Sequence, residues 1–116
     1  MTHVPVICPQ RRRRITGGFS WIDHRLIRDG HLEKLTRNEI ALYLFLVLVG
    51  NRDGVSFYRL EKICTYLDHM EWADFHEARD RLISLGLIAF RPFSHHNPNG
   101  FYQVLSLDPQ AEGANA

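Results

Sequence analysis

The chain has 116 residues, of which 45% are apolar and 23% are charged, and this length supports one domain with little left for a second core. Frequent Leu, Ile, Val and Phe exclude an intrinsically disordered chain, which could not bury enough apolar surface to fold. The net charge of +1 hides an asymmetry: residues 1–18 carry four arginines and no acid, whereas residues 19–107 carry ten basic and eleven acidic residues.

Residues 1–18 also contain two prolines and, at positions 17 and 18, a pair of glycines. This composition predicts a flexible basic arm with the glycine pair as its hinge. The four arginines are Arg11, Arg12, Arg13 and Arg14. They either contact phosphates or a DNA minor groove, as the N-terminal arms of some DNA-binding proteins do, or form a solvated tail without a specific role.

A first helix is predicted over residues 21–28. Ser20 precedes it with an acid, Asp23, three residues later, which is the pattern of a helix N-terminus, and Gly30 follows its end. The apolar residues of this segment are expected to cover the core or, alternatively, to form a dimer interface. They are Phe19, Trp21, Ile22 and Leu26.

A central helix is predicted over residues 37–49. Thr36 and Glu39 have the spacing of a capping box, and the helix is apolar on nearly every side, which is typical of a helix at the centre of its domain. Its apolar run of ten residues is shorter than the ~20 that cross a bilayer. We predict core positions at Ile40, Leu44 and Leu48.

Two amphipathic helices are predicted next, over residues 58–67 and 71–85, after a turn at 50–54 and a short strand at 55–57. A three-residue turn separates them. Their apolar faces carry Leu60, Ile63, Cys64 and Leu67 on the first helix and Phe75, Ala78, Leu82 and Leu85 on the second. Of these we predict core positions at Ile63, Leu67, Phe75, Ala78 and Leu82, together with Leu87 and Ile88, and we expect Cys64 to be reduced and packed as a small apolar residue.

A β-hairpin is predicted at the end of the domain, with strands over residues 87–90 and 101–107 and a polar tip over residues 94–100. Pro92 limits the first strand to an edge or an early stop, because proline has no backbone N–H for the ladder. Residues 108–116 contain Pro, Gly and small residues and are expected to form a disordered tail.

The order of helix, short strand, helix, tight turn, helix and hairpin resembles the winged helix-turn-helix family over about residues 36–107. The resemblance is carried by residues 54–58, by the helix faces named above, by His69 and Met70 at the turn, and by the tract 82–88. We therefore predict a mainly α fold with a small β-hairpin. It is a winged helix-turn-helix domain over residues 19–107 with an extra N-terminal helix, between the arm 1–18 and the tail 108–116.

The resemblance implies a bacterial, cytoplasmic regulator of transcription or replication, associated with the nucleoid, that binds duplex DNA and often forms a homodimer. The second helix of the pair enters the major groove and the hairpin acts as a wing. Besides the arm arginines, the candidate DNA-binding residues are Arg59, Lys62, Trp72, His76, Arg91, His95 and His96. Their alternatives are a core or partner contact for Trp72, ordinary loop positions for His95 and His96, and a solvated face for Arg59 and Lys62.

The sequence departs from the family pattern in ways that favour a second hypothesis. His69 occupies a turn position where glycine is common, and Arg79 lies where an apolar residue is usual. The presumed recognition helix carries four acids, which repel phosphate, although a carboxylate can accept from cytosine in the major groove. The acids are Glu71, Asp74, Glu77 and Asp80. The alternative is a winged-helix adaptor that binds a protein partner.

No other chemistry has a recognisable pattern. Cys8 and Cys64 form no disulfide framework, which favours a reduced intracellular protein. The seven histidines lack the spacing of metal ligands, and no glycine-rich phosphate loop or nucleophile elbow occurs. We expect neither an enzyme nor a metal site, no small-molecule cofactor, no secretory signal and no membrane span.

Overall fold

A computed structural model describes residues 4–108. Within this range the chain forms four α-helices and a three-stranded antiparallel sheet in the order β1–β3–β2. The helices are α1 (Arg25–Arg28), α2 (Arg37–Val49), α3 (Leu60–Tyr66) and α4 (Trp72–Ser84), and the strands are β1 (Val55–Ser56), β2 (Ile88–Pro92) and β3 (Gly100–Val104). Short 3-10 turns cover Pro9–Arg11 and Leu32–Lys34. In the described part, each helix is too short or too polar to span a bilayer.

Helix α2 has the predicted bounds, and its start is fixed by the predicted capping box. The Thr36 hydroxyl accepts a hydrogen bond from the Glu39 backbone N–H at 3.2 Å, and the Glu39 carboxylate accepts one from the Thr36 N–H at 3.1 Å. These two bonds satisfy backbone donors that a helix start otherwise leaves without partners.

The prediction for the core face of α2 is wrong. Leu42 and Leu46 are fully buried, whereas Ile40, Leu44 and Leu48 are 38%, 43% and 61% exposed. A helix that is apolar on every side contains no pattern that tells which side packs, since any stripe along it has the same chemistry. The packing partners α4 and β3 select the Leu42 side.

The other core predictions are largely confirmed. The core lies between α2, α3, α4 and the inner face of the sheet. Side chains predicted and found buried are Ile63, Phe75, Ala78, Leu82, Leu87 and Ile88. Leu67 is half-buried, and the structure adds Met70 and Tyr102. The predicted hairpin is also present, with β2 and β3 paired from Ile88↔Val104 to Pro92↔Gly100.

Helix α1 starts four residues later than predicted. Ser20 does not cap it, because the Ser20 hydroxyl donates to the Leu48 carbonyl oxygen at 3.4 Å. Instead, the Asp23 carboxylate accepts from the Arg25 backbone N–H at 2.9 Å, so the first turn begins there. Leu26 is buried as expected. The expectation that the rest of this segment covers the core is wrong, because its other apolar residues are exposed: Phe19, Trp21 and Ile22.

An ion-pair cluster joins the N-terminal segment to the end of the described chain. The Arg25 guanidinium lies 2.6 Å from a carboxylate oxygen of Asp23 and 2.6 Å from one of Asp108. Hydrogen bonds from Arg25 lower the pKa of Asp23 to about 2 and also lower the pKa of Asp108. Both carboxylates therefore stay charged at neutral pH, and what they contribute to stability is lost only as the pH falls below their ordinary range.

Two glycines are required where backbones approach closely. Gly54 has φ +84°, and a Cβ there would lie 2.7 Å from the Val104 carbonyl oxygen. A Cβ at Gly100 would collide with the backbone of β2 at Arg91 and Pro92. A side chain at either position would push β3 away from its neighbouring strands. The absence of a Cβ at these two glycines therefore permits the close packing of the three strands.

We expect Leu82→Ala to lower the free energy of unfolding by about 2–5 kcal/mol, because the side chain is completely buried and its removal leaves a cavity. Urea denaturation measures this change. Ile83→Ala on the same helix is the matched control: its side chain is 38% exposed, and we expect a loss below about 1 kcal/mol. Equal losses for the two variants would contradict the described orientation of α4.

Candidate nucleic-acid interface

One buried hydrogen bond ties the hairpin tip to the start of α3. The side-chain oxygen of Asn99 accepts from the Leu60 backbone N–H at 2.7 Å, and Asn99 itself is buried. Arg59, at the cap position, gives the helix no side-chain cap, so Asn99 supplies from a distant segment what a local Ser or Asp usually supplies. The start of α3 and the hairpin tip therefore lie side by side.

Three phenylalanines and one arginine lie together on the outer side of the sheet; we call Phe57, Arg91, Phe93 and Phe101 the hairpin face. The Phe101 ring centroid is 5.0 Å from that of Phe93 and 6.4 Å from that of Phe57, and the Arg91 guanidinium lies 5.2 Å from the Phe101 centroid. Phe57 is 69% exposed. The geometry combines a cation with apolar ring surface that is open to a ligand.

The hairpin face carries no acid on its strands. Strand alternation places the partners Arg91 and Phe101 on the outer side, together with Val55, Ala89 and Gln103. A groove of about 390 Å³ runs beside the Phe57 and Phe101 rings. Sequence analysis identified Arg91 but missed the phenylalanines, although Phe101 and Gln103 are two residues apart in a predicted strand and therefore share one of its faces.

The other cations predicted on α3 and the hairpin are exposed. Arg59 lies 3.5 Å from Glu61, and the Lys62 ammonium is 5.7 Å from the centroid of the Tyr66 ring. The structure thus places both on the solvent side of α3. At the hairpin tip the rings of His95 and His96 are 3.9 Å apart and exposed, and His96 has a left-handed backbone with φ 65°.

The turn between α3 and α4 differs from the family expectation at His69. The Met70 backbone N–H donates to the Leu67 carbonyl oxygen at 2.9 Å and closes the turn. Among described residues other than glycine, a positive φ occurs at His96 and not at His69. Glycine is therefore not needed at this position, which removes the conformational reason for the usual residue.

Helix α4 presents an acidic surface to solvent. Asp74 accepts from the Glu71 backbone N–H at 3.1 Å in a capping box, so these two acids stabilise the helix start. Glu77 and Asp80 are exposed one and two turns further along. The predicted contact residues Trp72 and His76 lie one turn apart; Trp72 is 56% exposed, and the His76 ring packs against Phe75.

The two arginines of α4 offset part of this acidity, since the Arg79 Nε lies 3.5 Å from a carboxylate oxygen of Asp80 and Arg81 is exposed. Arg79 packs inward: its side chain is 15% exposed, and its guanidinium lies 4.6 Å from the Phe90 ring centroid. The long stem and the stacked guanidinium explain why an arginine fits an apolar position. Burial raises the pKa of the neighbouring Tyr102 hydroxyl, an effect that Arg79 opposes. Arg81 donates to the Lys34 carbonyl oxygen at 3.5 Å.

The arm arginines are all exposed. Arg11 ends a 3-10 turn at Pro9–Arg11, and the next three arginines lie in a segment without regular structure. Of the predicted tail, residues 109–116 lie outside the described range. The predicted DNA-binding cations therefore lie on the arm, the start of α3 and the hairpin, while other exposed cations lie elsewhere on the chain, at Arg28, Lys34, Arg37 and Arg52.

Residues 4–108 contain no cluster of three His, Cys, Asp or Glu side chains arranged to hold a metal ion. Cys8 is exposed and Cys64 is half-buried, and both are free thiols. Burial and the nearby Glu61 carboxylate raise the pKa of the Cys64 thiol. Comparisons of the chain with known protein families, curated proteins and solved structures found no match.

We expect Asn99→Ala to lower the free energy of unfolding by about 1–3 kcal/mol, because the buried Leu60 N–H loses its acceptor. Hydrogen exchange of the Leu60 amide, together with urea denaturation, measures the effect. Asn99→Asp keeps an acceptor oxygen and is the matched control, with slow exchange at Leu60 retained. An Ala variant with wild-type stability and exchange would show that this bond does not hold the hairpin.

Proposed function

We propose that this chain is a winged helix-turn-helix module that binds duplex DNA through its basic arm, the start of α3 and the hairpin face. The order α2–β1–α3–α4–β2–β3 and the sheet order β1–β3–β2 support this fold assignment. The observation that carries the proposal is the bond from Leu60 to Asn99, which holds the start of α3, with Arg59 at its cap position, against the tip of the hairpin that carries Arg91.

The arm provides the main electrostatic attraction. Residues 19–107 contain one more acid than they contain Lys and Arg, so the folded body alone attracts DNA poorly. The arginines Arg11, Arg12, Arg13 and Arg14 are exposed and neutralise phosphates without reading bases. Such contacts raise affinity for every sequence to a similar extent.

The hairpin face supplies oriented contacts. The Arg91 guanidinium, held over the Phe101 ring, is positioned for a phosphate or a base edge, and Arg59 lies at the adjacent helix start. The exposed hairpin-tip residues His95 and His96 add further contacts to phosphate. These residues fix the orientation of the body on the duplex.

Helix α4 approaches the duplex with its first two turns. Trp72 and His76 lie one turn apart on the same side of the helix, and in this arrangement they are its DNA contacts. A deeper approach brings Glu77 and Asp80 towards phosphates, which repel them. This arrangement limits how far α4 enters the major groove.

A protein–protein adaptor is the second candidate function. The acidic solvent face of α4, with the half-exposed Trp72 at its start, favours it. An aromatic side chain surrounded by charges of one sign is suited to a basic partner protein, since tryptophan is enriched among residues that dominate binding energy.

Removing the arm charges is expected to flatten the salt dependence of duplex binding. If all four arginines contact phosphates, changing them together to alanine reduces the slope of log affinity against log salt by roughly 3–4, because each neutralised phosphate contributes about 0.9. Fluorescence anisotropy of labelled duplexes at several salt concentrations measures the slope for several sequences.

The matched control replaces the same four arginines with lysine, which keeps the charge and therefore most of the slope. An unchanged slope in the alanine variant would make the arm a solvated tail. Absence of duplex binding by the wild-type chain at low salt would exclude the DNA proposal and leave the adaptor.

The position of α4 on DNA is tested by removing its acids. We expect Glu77→Gln with Asp80→Asn to raise duplex affinity several-fold at low salt, because two charges that repel phosphate disappear. The control pair, Asp29→Asn with Glu33→Gln, makes the same change in net charge near α1 and is expected to have a smaller effect. Equal gains from the two pairs would show that α4 does not face the duplex.

A further inference from the structure

The exposed side of α2 carries an aliphatic stripe, formed by Ile40, Leu44 and Leu48. Positions four apart on an α-helix lie on one face, and these three are 38%, 43% and 61% exposed. Arg37, at the start of the stripe, is the one charged residue on the exposed face of α2. The opposite side of α2 forms the centre of the core. An aliphatic stripe on the central helix of a domain marks an interaction surface.

We propose that a second copy of this chain covers the stripe, with the two α2 helices antiparallel about a twofold axis at Leu44. The stripe is symmetric about Leu44, with one aliphatic residue four positions before it and one four positions after. An antiparallel copy therefore places Leu44 against Leu44 of the second copy, and Ile40 against its Leu48. A twofold interface requires this kind of self-complementary surface.

The charges fit the antiparallel orientation. The last turn of α2 contains no basic residue, so the partial negative charge of the helix C-terminus has no cation from its own helix. In the antiparallel pair, Arg37 of each copy lies beside the C-terminal end of the other copy's α2. A parallel pair would instead place the two Arg37 side chains together, where like charges repel.

The area that a stable dimer needs extends the interface beyond α2. A specific interface buries roughly 800 Å² on each partner, more than three half-exposed aliphatic side chains provide. The Ser20 hydroxyl donates to the Leu48 carbonyl and holds Phe19 and Trp21 at the same end of α2, where they are 75% and 84% exposed. They lie on the neighbouring flank of the helix, where they line a cleft with Tyr43 and Val47. Aromatic side chains each bury ~150–250 Å², so these two complete the surface.

This inference uses a different face from the proposed DNA contacts and does not depend on them. Its test therefore needs no DNA. If the proposed function also holds, a twofold dimer presents two copies of the arm and hairpin to two half-sites of one duplex.

The first experiment measures the mass of the full-length chain by sedimentation equilibrium over a wide concentration series. We expect a monomer–dimer equilibrium, and we expect Ile40→Glu to raise the dissociation constant at least about tenfold, since it buries an unpaired carboxylate. Ile83→Glu on α4 is the matched control, because Ile83 is also an isoleucine with 38% exposure. Circular dichroism confirms that both variants are folded.

The second experiment locates the interface with the wild-type surface largely intact. With Trp72→Phe, Trp21 is the remaining tryptophan, and its emission is expected to shift to the blue as the concentration rises. With Cys8→Ser and Cys64→Ser, a Leu44→Cys variant is expected to form a disulfide-linked dimer on oxidation, because a twofold axis at residue 44 brings the two Cα atoms within reach; Ile83→Cys is the control.

A monomeric mass at every concentration overturns the proposal. A dimer that Ile40→Glu leaves intact, or one in which Leu44→Cys crosslinks no better than Ile83→Cys, also overturns it.

Discussion

Burial of one side of α2 is the constraint on which the rest of the fold depends. Leu42 and Leu46 are fully buried, and α4 and the inner face of β3 pack against this helix. Because α4 and β3 both pack against the buried side of α2, this helix sets their positions relative to each other. Because the helix is apolar all round, this burial also leaves an aliphatic stripe facing outward, and one packing choice therefore produces both the core and an exposed surface.

The hairpin is positioned by polar contacts as well as by packing. The side-chain oxygen of Asn99 accepts a hydrogen bond from the first backbone N–H of α3. Gly100 allows β2 and β3 to approach more closely than a residue with a Cβ would. The two residues are adjacent in sequence but contact different elements: Asn99 bonds to α3, and Gly100 packs against the backbone of β2. Their combined effect is to hold the hairpin face next to the start of α3, where exposed cations and aromatic rings coincide.

The acids of α4 fall into two groups with different structural roles. Some acids of α4 have a local explanation, since Asp74 and Glu71 complete a cap at the helix start. Glu77 and Asp80 take no part in the helix start; both lie on the solvent face of α4, where Asp80 is 3.5 Å from the Arg79 guanidinium. The arm and the hairpin carry exposed cations, as do Arg28, Lys34, Arg37 and Arg52 elsewhere on the chain. The proposed DNA-binding role places its phosphate contacts on the arm and the hairpin, whereas a role as an adaptor uses the acidic side of α4.

By itself the sequence determined the features that depend on local chemistry. Thr36 and Glu39 predicted the start of α2, the spacing of Phe75, Ala78 and Leu82 predicted the buried face of α4, and the hairpin followed from two β-prone runs around a polar tip. Exposed cations of the candidate site, such as Arg59 and Arg91, were also identified, because charged residues near the ends of predicted helices and strands can be recognised from the sequence alone.

Only the tertiary structure decided which of several chemically equivalent choices is used. It selected the Leu42 side of α2 over the Ile40 side, assigned Ser20 to the Leu48 carbonyl instead of a helix start, and turned Arg79 inward onto Phe90. It also gathered three phenylalanines around Arg91. In each case the deciding energy comes from groups distant in sequence, since a hydrogen bond or an apolar contact depends on which partner the fold brings within reach.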